Sequence, residues 1–449
     1  MQEDTSDPRP SRSTATPARP VYSLPVAISL GILAIVLWQS PNFGHHNNNV
    51  GSPIAGDFLQ EWIGAYALRT VGPEVLFDHS SLSTLQHDES LLGFRWTESE
   101  YFEMVYPPFY YMLWIPASFL PYSLAAWLFV LAMIGCLIAA HMLMVKAIGR
   151  CETGASNDGT LRNILPWLLV LATMYTPLIR SITTGQKGTV CLLILAATFF
   201  LYMVSRRFAS GLAFGLMAFK PHLALLVGIS MFLKRQWAFV IGALLVAGLF
   251  GGMCFLAGPQ TCWNYAQFCV GAGDYVETSG YDLYKSHCLY GFFALLGGGT
   301  STWLTRASWI LAVGLIGILL LRMNSLNKET PDSVRKPIEF SVLVLATLLV
   351  TPHLFSYDLC MLLLPMYLLV GLMANGAFSR RQSMRIGFLL GALYLTSGFS
   401  HFVAAVYGVQ LTTVLMFALL WVLCREKPAI ASTRSESSGV WTLSAPAVS

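Results

Sequence analysis

Apolar runs long enough to cross a bilayer recur along this chain, separated by short polar stretches. A crossing takes about 20 mostly apolar residues, with a range of about 17–25. The runs at 22–40, 122–146, 163–180, 188–205, 236–257, 303–322, 337–352, 354–374, 384–400 and 401–424 meet or approach that length. Two shorter runs, 207–219 and 222–234, predict a broken or tilted hairpin, and 107–120 and 288–299 predict dips or interfacial helices on the outer side. The pattern predicts an all-α polytopic integral membrane protein of about 12 transmembrane helices plus outer-face interfacial helices. One stretch after the first run departs from the rhythm. In "IAGDFLQEWIGAYAL", residues 54–68, a carboxylate precedes Phe58, Leu59, Trp62, Ile63 and Tyr66. That spacing places large apolar groups on one helical face. It predicts an interfacial helix that presents Asp57 at the membrane surface.

Composition agrees with a membrane protein. Hydrophobic residues make up 55% of the 449 and charged residues only 11%, with mean hydropathy +0.60. A soluble domain carries about 25% charged residues. A net charge of +4, without a basic tract, excludes a nucleic-acid partner and leaves membrane lipid as the medium. Residues 1–21 are polar and rich in Pro, Ser and Thr, which predicts a disordered cytoplasmic tail. The run 22–40 is read as a retained first crossing, because no small-x-small site precedes "QSPNFG". The transmembrane domain is then 22–424, followed by a second cytoplasmic tail, 425–449.

Charge placement orients this threading. With the N-terminus inside, sixteen basic residues fall in cytoplasmic loops and seven on the outer side, as the positive-inside rule requires. The loop 41–106 holds nine carboxylates against two arginines and is the largest extracytoplasmic segment. Of nine cysteines, most lie in apolar runs; Cys262, Cys269 and Cys288 share an external region that could hold a disulfide. No CxxC, HExxH or clustered His/Cys spacing points to a metal site.

Five places carry candidate chemistry. Asp57 is a helix N-cap, a general base, or both, with Glu61 its nearest rival. "EMVYPPFYYMLWIPASFLP" opens an aromatic segment at Tyr106, Pro107 and Pro108; it starts a helix and also suits a lipid-chain groove. "RSITTGQKGTV" sets Gln186 and Lys187 in a turn beside Arg180, either a polar loop or a site for an anionic headgroup. "LMAFKPHLALL" puts Lys220 and His222 at a proline break among apolar residues. Ionisable groups at membrane depth are costly and mark function, although a lysine there can also snorkel to the interface. "LVTPHLFSYDLCMLL" repeats the pattern with His353, Tyr357 and Asp358. His353 and Tyr357, four apart, are predicted to share a helical face, and Asp358 is a cap or a site carboxylate.

In this order, Asp57 in the first outer loop, "YPP", "TGQKG", "GLAFGLMAFKPH" and "TPHLFSYD" resemble glycosyltransferase family 87, over most of residues 22–424. The resemblance implies a GT-C fold and an extracytoplasmic site. It also implies inverting transfer of a hexose, typically mannose, from a polyprenyl-phosphate donor to a glycolipid or glycan acceptor, without a nucleotide; no cofactor is expected. Asp57 matches the acidic residue taken as that family's base. Where the family often has Gln-x-Asn, this chain reads Gln186-Lys187-Gly188. The main competing reading is a transporter or flippase of lipid-linked saccharides. Such carriers need carboxylates or histidines at mid-membrane, and the runs here are nearly free of Asp and Glu. Another lipid-linked polymer enzyme and an inactive scaffold are weaker alternatives.

Overall fold

A computed structural model describes residues 22–39, 53, 55–96, 101–151, 163–278, 283–299, 303–326 and 330–429. The 1–21 tail and residues 430–449 of the C-terminal tail lie outside the described residues. Helix dominates, and no strand occurs among the described residues; one isolated antiparallel bridge joins Ser286 and Phe355.

The apolar run before the outer loop is α1 Ser23–Gln39; the loop folds into α2 Phe58–Thr70, α3 His79–Gln86 and α4 Glu89–Leu92, and α5 Pro108–Leu113 follows it. Then come α6 Tyr122–Ile148, α7 Trp167–Met174, α8 Thr176–Thr183, α9 Gly188–Met203, α10 Arg207–Gly215 and α11 Pro221–Leu233. The remainder is α12 Trp237–Leu256, α13 Pro259–Thr278, α14 Leu289–Gly297, α15 Trp303–Leu326 and α16 Asp332–Val350, then α17 Leu363–Ala374, α18 Arg380–Thr396, α19 Ser400–Tyr407 and α20 Leu411–Arg425.

Four helical segments are long and apolar enough to cross a membrane: Tyr122–Ile148, Trp237–Leu256, Trp303–Met323 and Ser356–Ala374. Counting each bent pair as one span, α8 with α9 at 120° and α18 with α19 at 76°, raises the number to six. Four shorter apolar helices accompany them, at Ser23–Leu37, Arg207–Phe219, Pro221–Leu233 and Leu411–Arg425. Proline explains two of the breaks. Pro177 opens α8 straight after Tyr175 leaves helical geometry, and Pro221 opens α11 after Lys220 (φ −126°, ψ 69°). A residue before proline is disfavoured in the α region.

Large apolar side chains stand exposed along α12, α15 and α18, including Leu244, Leu249, Leu311, Ile318 and Phe388. A surface of that character needs lipid around it. The centre is α16, whose residues Phe340 to Leu349 are all buried, packed among α11, α15, α17 and α20. Expectation and structure differ at α2. Instead of one greasy face on a membrane, residues 58–65 and Ala67 are buried almost all round. Phe58 stacks on Phe129 of α6 at 4.4 Å, and the Trp62 indole donates to the carbonyls of Ala117 and Leu120, both at 3.2 Å. The helix is an internal element of the protein. Residues 259–278, read from sequence only as outer loop, form the helix α13, which packs on the Pro73–Phe77 turn. Cys262, Cys269 and Cys288 are free thiols, so the suggested disulfide is absent.

A buried polar relay ties α6, α7 and α17 together. His141 Nδ1 lies 3.0 Å from the Tyr367 hydroxyl, which donates to the Leu168 carbonyl at 2.7 Å. Tyr367→Phe leaves both partners unsatisfied, so a detergent-solubilised melt should show a loss of about 1 kcal/mol, with no change in substrate binding.

Candidate active site

The site forms at the bend between α8 and α9. Thr184, Gly185, Gln186 and Lys187 reverse the chain there, and the two glycines of "TGQKG" are both required. Gly185 sits at φ +76°, and a Cβ there would lie 2.3 Å from the Ala55 carbonyl oxygen. A Cβ on Gly188 would meet Cys360 Sγ and Ser181 Oγ at 2.6 Å. The bend therefore presses against residue 55 on one side and the 356–362 turn on the other. Ala55 itself adopts φ +49°, a left-handed conformation unusual for a residue with a Cβ; strain of this kind concentrates at functional sites. The Asp57 N–H donates to the Thr184 carbonyl at 2.9 Å, which fixes the start of α2 against the bend.

Asp57 occupies the N-cap position of α2, yet its side chain makes no capping bond. Its Oδ2 accepts a hydrogen bond from the Gln186 side-chain amide. The outer loop does use carboxylate caps elsewhere, at Asp78 and Asp88, so the different choice at Asp57 is specific. The half-buried carboxyl is raised above the ordinary aspartate range, because burial outweighs the Gln186 bond and the pull of Lys187 and Lys220.

Glu61, one turn on, is fully buried and ion-paired with the equally buried Lys187. Burial pushes the Glu61 carboxyl up to about 7 against the pull of Lys187, and the Asp57 charge adds to the rise. The Lys187 ammonium also lies 4.9 Å from the centre of the Tyr106 ring, and Tyr106 packs on Tyr110 and Phe219. The "YPP" segment thus forms an aromatic wall beside the turn.

A second ion pair closes the site. Lys220 Nζ lies 2.6 Å from Asp358 Oδ1, with both side chains buried, and sits 5.4 Å from the Tyr357 ring centre. This chooses between the sequence alternatives at two positions. Lys220 does not snorkel but carries its own counterion, and Asp358 is that counterion and not a helix cap. One expectation is corrected: His353 lies in the non-helical stretch 351–355, while Tyr357 belongs to the 3-10 turn Ser356–Leu362, so they share no helical face. Both still reach the site, and His222 lies within electrostatic range of Lys220, Asp358 and His353.

The structure therefore gathers Asp57, Tyr106, Gln186, Lys187, Lys220, His222, His353, Tyr357 and Asp358 from five separated segments into one neighbourhood. Sequence reasoning underrated Glu61. Its signal was local all the same, a carboxylate flanked by Leu59, Trp62 and Ile63 in an apolar run. An apolar groove of about 500 Å³ lies between α10, α11 and α12, lined by Phe214, Ala218, Pro221, Leu225, Phe232 and Leu244 among others. Its wall begins at Pro221, next to Lys220.

Fold and site together define a helical membrane protein that holds paired charges beside an apolar groove. The family model of glycosyltransferase family 87 matches residues 104–352. The chain belongs to glycosyltransferase family 87 and is a membrane glycosyltransferase. The matched stretch contains Tyr106, Gln186, Lys187, Lys220 and His222, and leaves Asp57, His353, Tyr357 and Asp358 outside it. No curated protein and no solved structure gave a match to the chain.

Removing one partner of a buried pair strands a charge, at a cost of about 3–5 kcal/mol, whereas removing both is often close to neutral. Lys187→Met strands the Glu61 carboxyl and should destabilise the fold, and adding Glu61→Gln to it should recover most of the loss. The pH dependence has a definite sign. Because the folded-state Glu61 pKa, about 7, exceeds its ordinary value of 4.5, its contribution is complete below the unfolded pKa and is lost as pH rises through about 7. The melting temperature of wild type minus that of Glu61→Gln should therefore fall between about pH 5 and about pH 8. A flat difference would show that Glu61 titrates normally.

Proposed function

We propose that the protein transfers a hexose, mannose in the first instance, from a polyprenyl-phosphate donor to a glycolipid or glycan acceptor, with inversion, on the extracytoplasmic face of a cell membrane. The proposal includes a GT-C architecture in which the shorter apolar helices complete the crossings, for a total of about 12. The outward orientation rests on the excess of basic residues in the loops assigned to the cytoplasm.

One observation carries the reading. A carboxylate held by Gln186 stands beside two buried lysines, and one of those lysines adjoins an apolar groove. A lipid-phosphate sugar has matching parts: an apolar chain, a charged phosphate and a polar sugar. Gln186 occupies Asp57 Oδ2 and leaves Oδ1 to take the proton from the acceptor hydroxyl as that oxygen attacks the anomeric carbon. The raised proton affinity of Asp57 suits a base working near neutral pH. The bond to the donor phosphate breaks on the opposite side, and the phosphate leaves with the electron pair. Lys220 has three donors, of which one goes to Asp358; in this reading the other two meet the departing oxygen, with the imidazoles of His222 and His353 nearby. Phosphate is already a good leaving group, so no separate general acid is needed.

The test is transfer by purified protein in lipid nanodiscs, supplied with labelled polyprenyl-phosphate mannose and extracted membrane lipids, with nucleotide sugars in a parallel arm. Product should form only in the first arm. Asp57→Asn keeps the Gln186 neighbour and the shape but cannot take a proton, so turnover should drop by about 10²-fold or more with thermal stability nearly unchanged. Near-normal turnover of Asp57→Asn at saturating donor would remove Asp57 as the base, and product from nucleotide sugar alone would remove the lipid donor.

A further inference from the structure

A second polar cluster lies apart from the carboxylates and is joined to them through Ser356, two residues before Asp358. Arg180 of α8 donates from Nη1 to Ser356 Oγ and from Nη2 to His401 Nε2, both at 3.1 Å. Among the described residues Arg180 has no carboxylate partner. With Nε2 accepting from Arg180, the proton of His401 sits on Nδ1, and that buried atom has no hydrogen-bond partner. His287 completes the cluster. It is fully buried, and neither ring nitrogen is partnered. Its backbone is nonetheless well fixed, since its N–H donates to the Leu354 carbonyl at 2.8 Å and its carbonyl accepts from Thr413 Oγ1 at 2.8 Å.

Buried polar atoms are normally satisfied, so an orphaned group asks for an explanation such as an absent ligand. Here several donors are left over together: the remaining guanidinium N–H groups, His401 Nδ1–H and one N–H of His287. The charged groups acting on His287 are His401 and Arg180, and those acting on His401 are Arg180 and Lys285. Every one is a base. Burial chiefly holds His287 down to about 3, so at neutral pH it offers a neutral imidazole N–H. A guanidinium with N–H groups to spare and two imidazole donors nearby matches the oxygens of a phosphate group.

We propose that Arg180, His287 and His401 form a second anion site, distinct from the Lys220–Asp358 pair, which takes a phosphate group. The site adds a second charged substrate group to the glycosyl-transfer reading, and rests on that reading only for which lipid would bring the phosphate. Binding is measured without sugar transfer, so the two ideas fail separately.

The experiment follows ligand-induced stabilisation and affinity of the full chain in nanodiscs of neutral lipid, with three probes: inorganic phosphate, polyprenyl phosphate, and phosphatidylglycerol added to the disc. At least one probe should stabilise the wild type, and the responding probe identifies the source. That response should weaken tenfold or more in Arg180→Gln and in His287→Leu, and persist in Asp57→Asn. Folding is controlled by His287→Leu, which removes an orphaned buried group and should melt at or above the wild-type temperature without probe. If no probe binds the wild type, or if every responding probe binds Arg180→Gln and His287→Leu as tightly as wild type, the proposal is overturned.

Discussion

A lysine ammonium buried in an apolar protein must find a counterion or lose its proton, and the geometry of this molecule follows from meeting that requirement twice. An unpaired buried charge costs far more than any one hydrogen bond returns. Lys187 meets Glu61 and Lys220 meets Asp358, so four segments distant in sequence are held in one place. The first pair ties the outer-loop helix α2 to the α8–α9 bend. The second ties the proline break before α11 to the turn after α16. Between them stands Asp57, whose carboxylate is claimed by no lysine directly and is held by an uncharged amide instead. A carboxylate left outside the ion pairs keeps a proton affinity that chemistry can use.

The bend that presents Gln186 and Lys187 depends on sterics as much as on charge. Gly185 and Gly188 let the turn approach Ala55 and the 356–362 turn more closely than any side chain would permit. This closeness brings Asp57 within reach of Gln186 and Glu61 within reach of Lys187. The buried lysine at this turn is accounted for by Glu61: the cation is balanced by a carboxylate in α2.

Much of the helix inventory was legible, because apolar runs of the right length and the proline at Pro221 are local signals, whereas the run 163–180 was read as one span and is broken at Tyr175. The candidate residues were legible for a related reason, since ionisable groups in apolar sequence stand out. Their partners were not. Nothing in the spacing of "LMAFKPH" and "SYDL" says that Lys220 meets Asp358, 138 positions away; that pairing belongs to the tertiary fold. The stripe at 58–66 misled because a helix with one greasy face and a helix buried on most sides differ only in the residues between. Here those are Gln60, Glu61, Gly64 and Ala65. Glu61 is accepted inside because Lys187 neutralises it, and Gly64 lets the Tyr111 ring lie against the backbone. The helix α13 escaped notice because its polar positions, Gln260, Asn264 and Gln267, interrupt any apolar run.

The pairing of the cations bears on how such a site can favour a transition state. Lysines waiting unpaired would grip the phosphate of the donor before any bond had broken, and such uniform binding lowers the barrier little. Here Lys220 already has Asp358, so a singly charged phosphodiester gains only part of its field. In the proposed reaction the phosphate takes on a second negative charge as the sugar departs, and its attraction to Lys220, His222 and His353 grows as that charge develops. Stabilisation that grows along the reaction lowers the barrier. In that reaction Asp358 would do more than offset a buried charge: it scales down the Lys220 field felt by donor and leaving group alike, so the preference for the leaving group comes from the charge that develops on it.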